Sequence, residues 1–146
     1  MNWIKSYSLK TIIFSPEFNE ELDIELISNC EIIIFSDCKL NEKIFERYAK
    51  NNLDGLPYIK SKFNRDVSSL PEGITHLIFG HSFNRDISAL PRSLTHLTVG
   101  HSFNQDVSTL PPTLTHLTVG HSFNQDVSNL PKGITHLTFG NNFNQD

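Results

Sequence analysis

The segment Phe63-Asn64-Arg65-Asp66-Val67-Ser68 returns as Phe83-Asn84-Arg85-Asp86-Ile87-Ser88, then again from Phe103 and from Phe123. The interval is twenty residues each time, with no insertion, and a further copy opens at Phe143. Fixed self-similarity of this length predicts a solenoid, in which each unit is one coil stacked on the last. The expected organisation is residues 63–146 as four regular repeats plus a truncated fifth, preceded by residues 1–62 as degenerate N-terminal coils and a cap containing one helix.

Ten of the twenty positions are identical in all four copies; in the third they are Phe103, Asn104, Asp106, Ser108, Leu110, Pro111, Thr115, His116, Leu117 and Gly120. The stretch Leu114-Thr115-His116-Leu117-Thr118-Val119 is rich in β-branched residues, with Leu117 and Val119 alternating against His116 and Thr118. That pattern predicts a short strand with one buried face, ended by Gly120. Strands recurring every twenty residues run the same way, so the sheet is parallel. Pro111 turns the chain ahead of the strand, where its missing N–H costs nothing. Asp106 precedes residues suited to a single tight turn whose free N–H groups a carboxylate can cap. The Asn64, Asn84, Asn104, Asn124 and Asn144 column is expected to hydrogen-bond turn backbone inside the stack. The fold class is therefore mostly β with short helical turns, a leucine-rich-repeat-like parallel β solenoid. A lone coil has too few apolar side chains to offset its ordering, so stacking must supply the stability.

The first sixty residues carry the same pattern in decayed form. Leu9 to Leu22 lies over Leu94 to Val107 without a gap, and Glu31 to Phe35 followed by Leu40 to Ile44 gives a second pass with one residue inserted. After Asn41, a suitable N-cap, Ile44, Phe45, Tyr48 and Ala49 share one helical face, so one α-helix is expected near residues 41–52. Met1 to Ser8, with Trp3 and Tyr7, is expected to cover the N-terminal end of the core.

Composition removes several function classes. The net charge is −4 with no block of basic residues, so nucleic acid is not an expected partner. No apolar run approaches the ~20 residues of a membrane span, and no secretory signal opens the chain, so neither a membrane partner nor export is expected. Cys30 and Cys38 both lie outside the regular repeats and read as reduced thiols of an intracellular, cytoplasmic protein.

All seven histidines lie in the repeats. His76, His96, His116 and His136 occupy the outward strand position, and His81, His101 and His121 follow the strand end. With parallel strands ~4.8 Å apart, each set should form a ladder. Adjacent imidazoles could suggest zinc or nickel. Closed metal sites add cysteine or carboxylate ligands, however, and none is placed here, so no metal and no cofactor are expected. The Asp66, Asp86, Asp106 and Asp126 column lacks the glycine-rich loops of calcium-binding rolls and reads as turn capping. Ser, His and Asp occur in every coil, but a catalytic site needs one differentiated pocket, so no catalytic residue is assigned and no enzyme is expected.

The run Leu-Pro-x-x-Leu-Thr-His-Leu-x-Phe/Val-Gly-x-x-Phe-Asn-Gln is similar to the FNIP repeat, a relative of leucine-rich repeats known mainly from amoebae and the large DNA viruses that infect them. The resemblance covers Leu70 to Asp146 and implies a solenoid with a role in binding proteins, in host cytoplasm if viral. Several relatives carry an N-terminal F-box; here the first Leu-Pro is Leu56-Pro57, followed by Tyr and Ile, so no ubiquitin-ligase role carries over. The expected function is a non-enzymatic scaffold that binds an unidentified protein through a polar strip of His76, His96, Thr98, His116, Thr118, His136 and Thr138. The alternatives are head-to-tail self-association through an uncapped edge at Thr135 to Phe139, and a remnant without a present role.

Overall fold

The computed structural model describes residues 4–8, 10–37 and 60–145. In each regular coil two turns flank a short extended run. Leu114 N–H donates to the Pro111 carbonyl before the strand, and Phe103 N–H to the Gly100 carbonyl after it. Between such turns lie β4 (His76–Ile78), β5 (His96–Thr98), β6 (His116–Thr118) and β7 (His136–Thr138). These strands are shorter than the alternating pattern suggested, because the turn hydrogen bonds claim the flanking residues.

The N-terminal region adds β1 (Ile4–Ser8), β2 (Thr11–Phe14), the one-turn helix α1 (Ile24–Ile27) and β3 (Ile32–Phe35). All seven strands form one sheet in chain order. β2 to β7 are parallel and β1 is antiparallel to β2, so β1 lies along the first edge of the parallel strands. Register runs straight through the stack: Ile12, Ile33, Leu77, Leu97, Leu117 and Leu137 are successive partners. The gapless overlay of Leu9–Leu22 on Leu94–Val107 is thus real in space. α1 was not foreseen. Asp23 nucleates it by accepting hydrogen bonds from the Glu25 and Leu26 N–H groups, and a single turn has no periodicity to recognise.

Rings fill the interior in columns. Phe18, Phe63, Phe83, Phe103, Phe123 and Phe143 stack with centroid separations of 5.8, 6.1, 6.2, 6.1 and 6.0 Å. A second column starts Phe14, Phe35, Phe79 and continues as Val99 and Val119 before Phe139. Where both columns hold Phe, rings within one coil also face each other, at 3.7 Å for Phe79 and Phe83. Leu70, Leu90 and Leu110, with Ile74, Leu94 and Leu114, close the core.

The Asn column is the coil's second hydrogen-bonded seam. The Oδ1 atoms of Asn19, Asn64, Asn84, Asn104 and Asn124 accept from the backbone N–H of the next rung, at 2.9–3.0 Å. The backbone role is as expected, but the side chains from Asn84 onward are exposed, not inside the stack. The second-coil pass at Leu40–Ile44 and the helix at 41–52 fall outside the described residues. The Asn rung that follows Asn19 is Asn64, whose N–H donates to Asn19 Oδ1. Asp37 closes a corner of the stack: its Oδ1 accepts from the N–H groups of Ser61 and His81, both at 2.8 Å.

The repeated glycine has a steric cause. A Cβ on Gly100 would fall onto the carbonyl group of Gly80, and one on Gly120 onto that of Gly100. Gly133, by contrast, has no neighbour closer than 3.6 Å to such an atom. Gly100→Ala should lower unfolding free energy by about 3 kcal/mol, as overpacking against backbone does, whereas Gly133→Ala should stay within about 0.5 kcal/mol of the parent. Urea denaturation of the two variants checks this, and equal stabilities would refute the steric account.

Asn104 Oδ1 also accepts from Gln125 Nε2. Water can reach this seam, so Asn104→Ala should cost about 1 kcal/mol, the lower end for an orphaned backbone donor. Chemical denaturation measures it, and no change would remove the seam from the account of stability.

Candidate functional site

The outward strand positions form a continuous column of imidazoles. His76, His96, His116 and His136 stack face to face, with 4.1 Å between successive ring centroids and interplanar angles of 12°, 14° and 7°. Each ring is held from its own strand. The hydroxyls of Thr75, Thr95, Thr115 and Thr135 lie 2.8–2.9 Å from the Nδ1 of the following histidine. Each of those hydroxyls also reaches back to a carbonyl of the previous coil, of Glu31, Thr75, Thr95 and Thr115, at 3.0–3.2 Å. The Thr-His dipeptide is therefore both a coil-to-coil bond and a ring holder.

Beside this column runs a row of Ile78, Thr98, Thr118 and Thr138, and beyond it the second imidazole column. His81, His101 and His121 stack at 4.6 and 4.8 Å. A trough of about 310 Å³ lies along three coils, with Ile78, Thr98 and Thr118 in its lining and His81, His101 and His121 alongside. Thr98, expected on the exposed strip, is only 8% exposed. Neighbouring coils cover it on both sides, while Thr138 in β7 is exposed. His76, His96 and His116 are half-buried and His136 is exposed. The sequence reading saw the second column as a ladder but left it out of the partner strip. Only its position past Gly80, Gly100 and Gly120 brings it back onto the same face.

Chemically the face is polar above an apolar floor. Translationally stacked rings direct their lone pairs in parallel, so neighbouring imidazoles do not converge on one ion. Among the described residues no group of three or more His, Cys, Asp or Glu is placed to hold a metal. The Asp column does something else. Each Asp accepts the N–H and the hydroxyl of the Ser two residues on, as Asp106 does from Ser108 at 2.8 Å each. This ties a surface turn and holds the carboxyls of Asp66, Asp86, Asp106 and Asp126 below their ordinary range. Aspartate thus engages serine and histidine engages threonine, in separate parts of the coil.

Burial, more than repulsion between stacked rings, depresses the histidine pKa values. Desolvation first, then the charges of His76, His116 and His136, push His96 down to about 4. Burial, then His116, lowers His76; burial, then His136, lowers His116. His81 is lowered by burial, then by Lys60 and His101, against the opposing pull of Asp37.

Similarity to known proteins follows the same geometry. The FNIP Repeat family model matches residues 63–102, 88–122 and 123–146. The chain belongs to the FNIP repeat family. No curated protein matches it. Among solved structures it is similar to CroV588, whose crystal structure is described as a novel circular LRR protein structure, with a TM-score of 0.70 and 32% identity. That similarity covers 93% of this chain, which spans 18% of the CroV588 chain. FNIP coils, like other leucine-rich-repeat-like solenoids, are typically non-catalytic scaffolds. Among the described residues no helix is long and apolar enough to cross a membrane.

Unfolded imidazoles titrate near 6.5, so between that value and about 4 the unfolded chain binds more protons than the folded one. The stability this represents is complete above pH 6.5 and is lost as pH falls through the window. The Asp turns act below their ordinary 3.8 and stay out of it. The melting temperature should fall steadily from pH 7 to 4.5, and His96→Gln should flatten the slope. Circular-dichroism melts test this, and a flat parent profile would refute it.

Proposed function

We propose that this FNIP chain is a non-enzymatic scaffold that holds a protein partner along the face built from His76, His96, His116 and His136, with Thr118 and Thr138 beside them. The supporting observation is that seven histidines stand in two stacked columns, the second of them lining a trough, while the opposite faces of the same strands form an apolar core. Regular solenoid faces of this kind offer extended surfaces suited to partners.

A second reading rests on Leu137, which is 41% exposed while its partners Leu77, Leu97 and Leu117 are fully buried. The outer edge of β7 can take a further strand, from a second copy or from additional coils. The circular form described for CroV588 supports a role for such coils as an arc of a longer run. Light scattering against concentration separates the readings, since a monomer at high concentration excludes self-association.

The scaffold reading is tested by affinity capture from extract of the source cell. The parent chain should retain a specific protein that His116→Ala/Thr118→Ala, verified as folded by circular dichroism, retains at least tenfold less. Equal capture by both would remove this face as the recognition surface.

A further inference from the structure

The hydroxyls of Thr75, Thr95, Thr115 and Thr135 fix the chemistry of the column beside them. A threonine hydroxyl has one proton and two acceptor lone pairs. Here each oxygen lies within bonding distance of a backbone carbonyl, which can only accept, and of a histidine Nδ1, which can do either. Both contacts are satisfied only if the hydroxyl proton goes to the carbonyl and Nδ1 carries the proton that the hydroxyl oxygen receives. The opposite assignment would set two acceptors against each other at 3.0–3.2 Å in all four coils. Two ring nitrogens cannot both be protonated in a neutral imidazole, so Nε2 is bare.

We infer that Thr75, Thr95, Thr115 and Thr135 are positioning residues that hold His76, His96, His116 and His136 as Nδ1–H tautomers, and that the column is a binding site of four bare Nε2 acceptors. Among the described residues no hydrogen bond reaches these Nε2 atoms. They are not sealed in the interior either, since among the described residues Ser15 Oγ is the one buried side-chain polar atom without a partner. The occupant of such a row is a protein surface that brings hydroxyl or amide donors, up to one per coil. Carboxylates would meet lone pairs with lone pairs and are excluded while the rings are neutral. This selectivity rests on the scaffold reading above, but the tautomer does not.

The test is nitrogen-15 NMR of the full chain at pH 7.5, where imidazole nitrogens with and without a proton resonate far apart. His76, His96, His116 and His136 are expected to show a protonated Nδ1 and a bare Nε2. In Thr95→Val, His96 alone should move toward the Nε2–H form that free imidazole side chains favour, and Thr95→Ser should restore it. Nε2–H signals for the four residues in the parent chain would overturn the inference, as would a His96 tautomer unchanged in Thr95→Val. The parent spectrum decides even if the valine variant does not fold. Bare Nε2 atoms in a chain that captures no protein would support this tautomer assignment and count against the scaffold; captured protein with Nε2–H signals would do the reverse.

Discussion

Backbone-to-backbone contact between successive coils at Gly80, Gly100, Gly120 and Gly140 sets the geometry on which everything else depends. At that corner one coil lies so close to the next that no side chain fits between them. The closeness holds the parallel strands in unbroken register from β4 to β7 and keeps the phenylalanine rings superimposed at a constant interval. Because register is shared, any residue placed at a given coil position is repeated as a line along the molecule. Columns of Asn, of Asp-Ser turns and of Thr-His pairs are consequences of that one constraint.

Much of this was legible in the residues. The twenty-residue interval carried the solenoid, the alternation in Leu114–Val119 carried the strand face, and the overlay of Leu9–Leu22 found the first coil although it shares few residues with the others. What was missed shares a cause: patterns report periodicity, and single events have none. α1 is one turn capped by Asp23. Asp37 works through one carboxylate oxygen shared by two distant N–H groups. Alternation placed Thr98 outward but could not show how deeply the adjacent coils bury it. The Asn seam passes from Asn19 to Asn64, 45 positions on, because register in space, not a fixed interval in sequence, decides which Asn continues it.

The histidine face shows how coil-to-coil bonding and ring orientation draw on the same groups. Threonine hydroxyls spend their single proton on the previous coil and so help to bind the stack. In doing so they turn a row of ambivalent rings into a uniform one. Burial then holds the pKa of His76, His96 and His116 below that of free imidazole. A face made this way offers the same valence in every coil, which suits a long contact of modest strength at each step more than a single deep pocket.

The corner at Asp37 bears on how such proteins diversify. Asp37 and Ser61 meet there although 24 positions separate them in sequence, and β3 still pairs with β4. A polypeptide of arbitrary length could be spliced in there with little strain on the array, provided an acidic residue remains to staple the gap. That single carboxylate makes one vertex of an otherwise monotonous rod open to novelty, while the remaining vertices stay conservative.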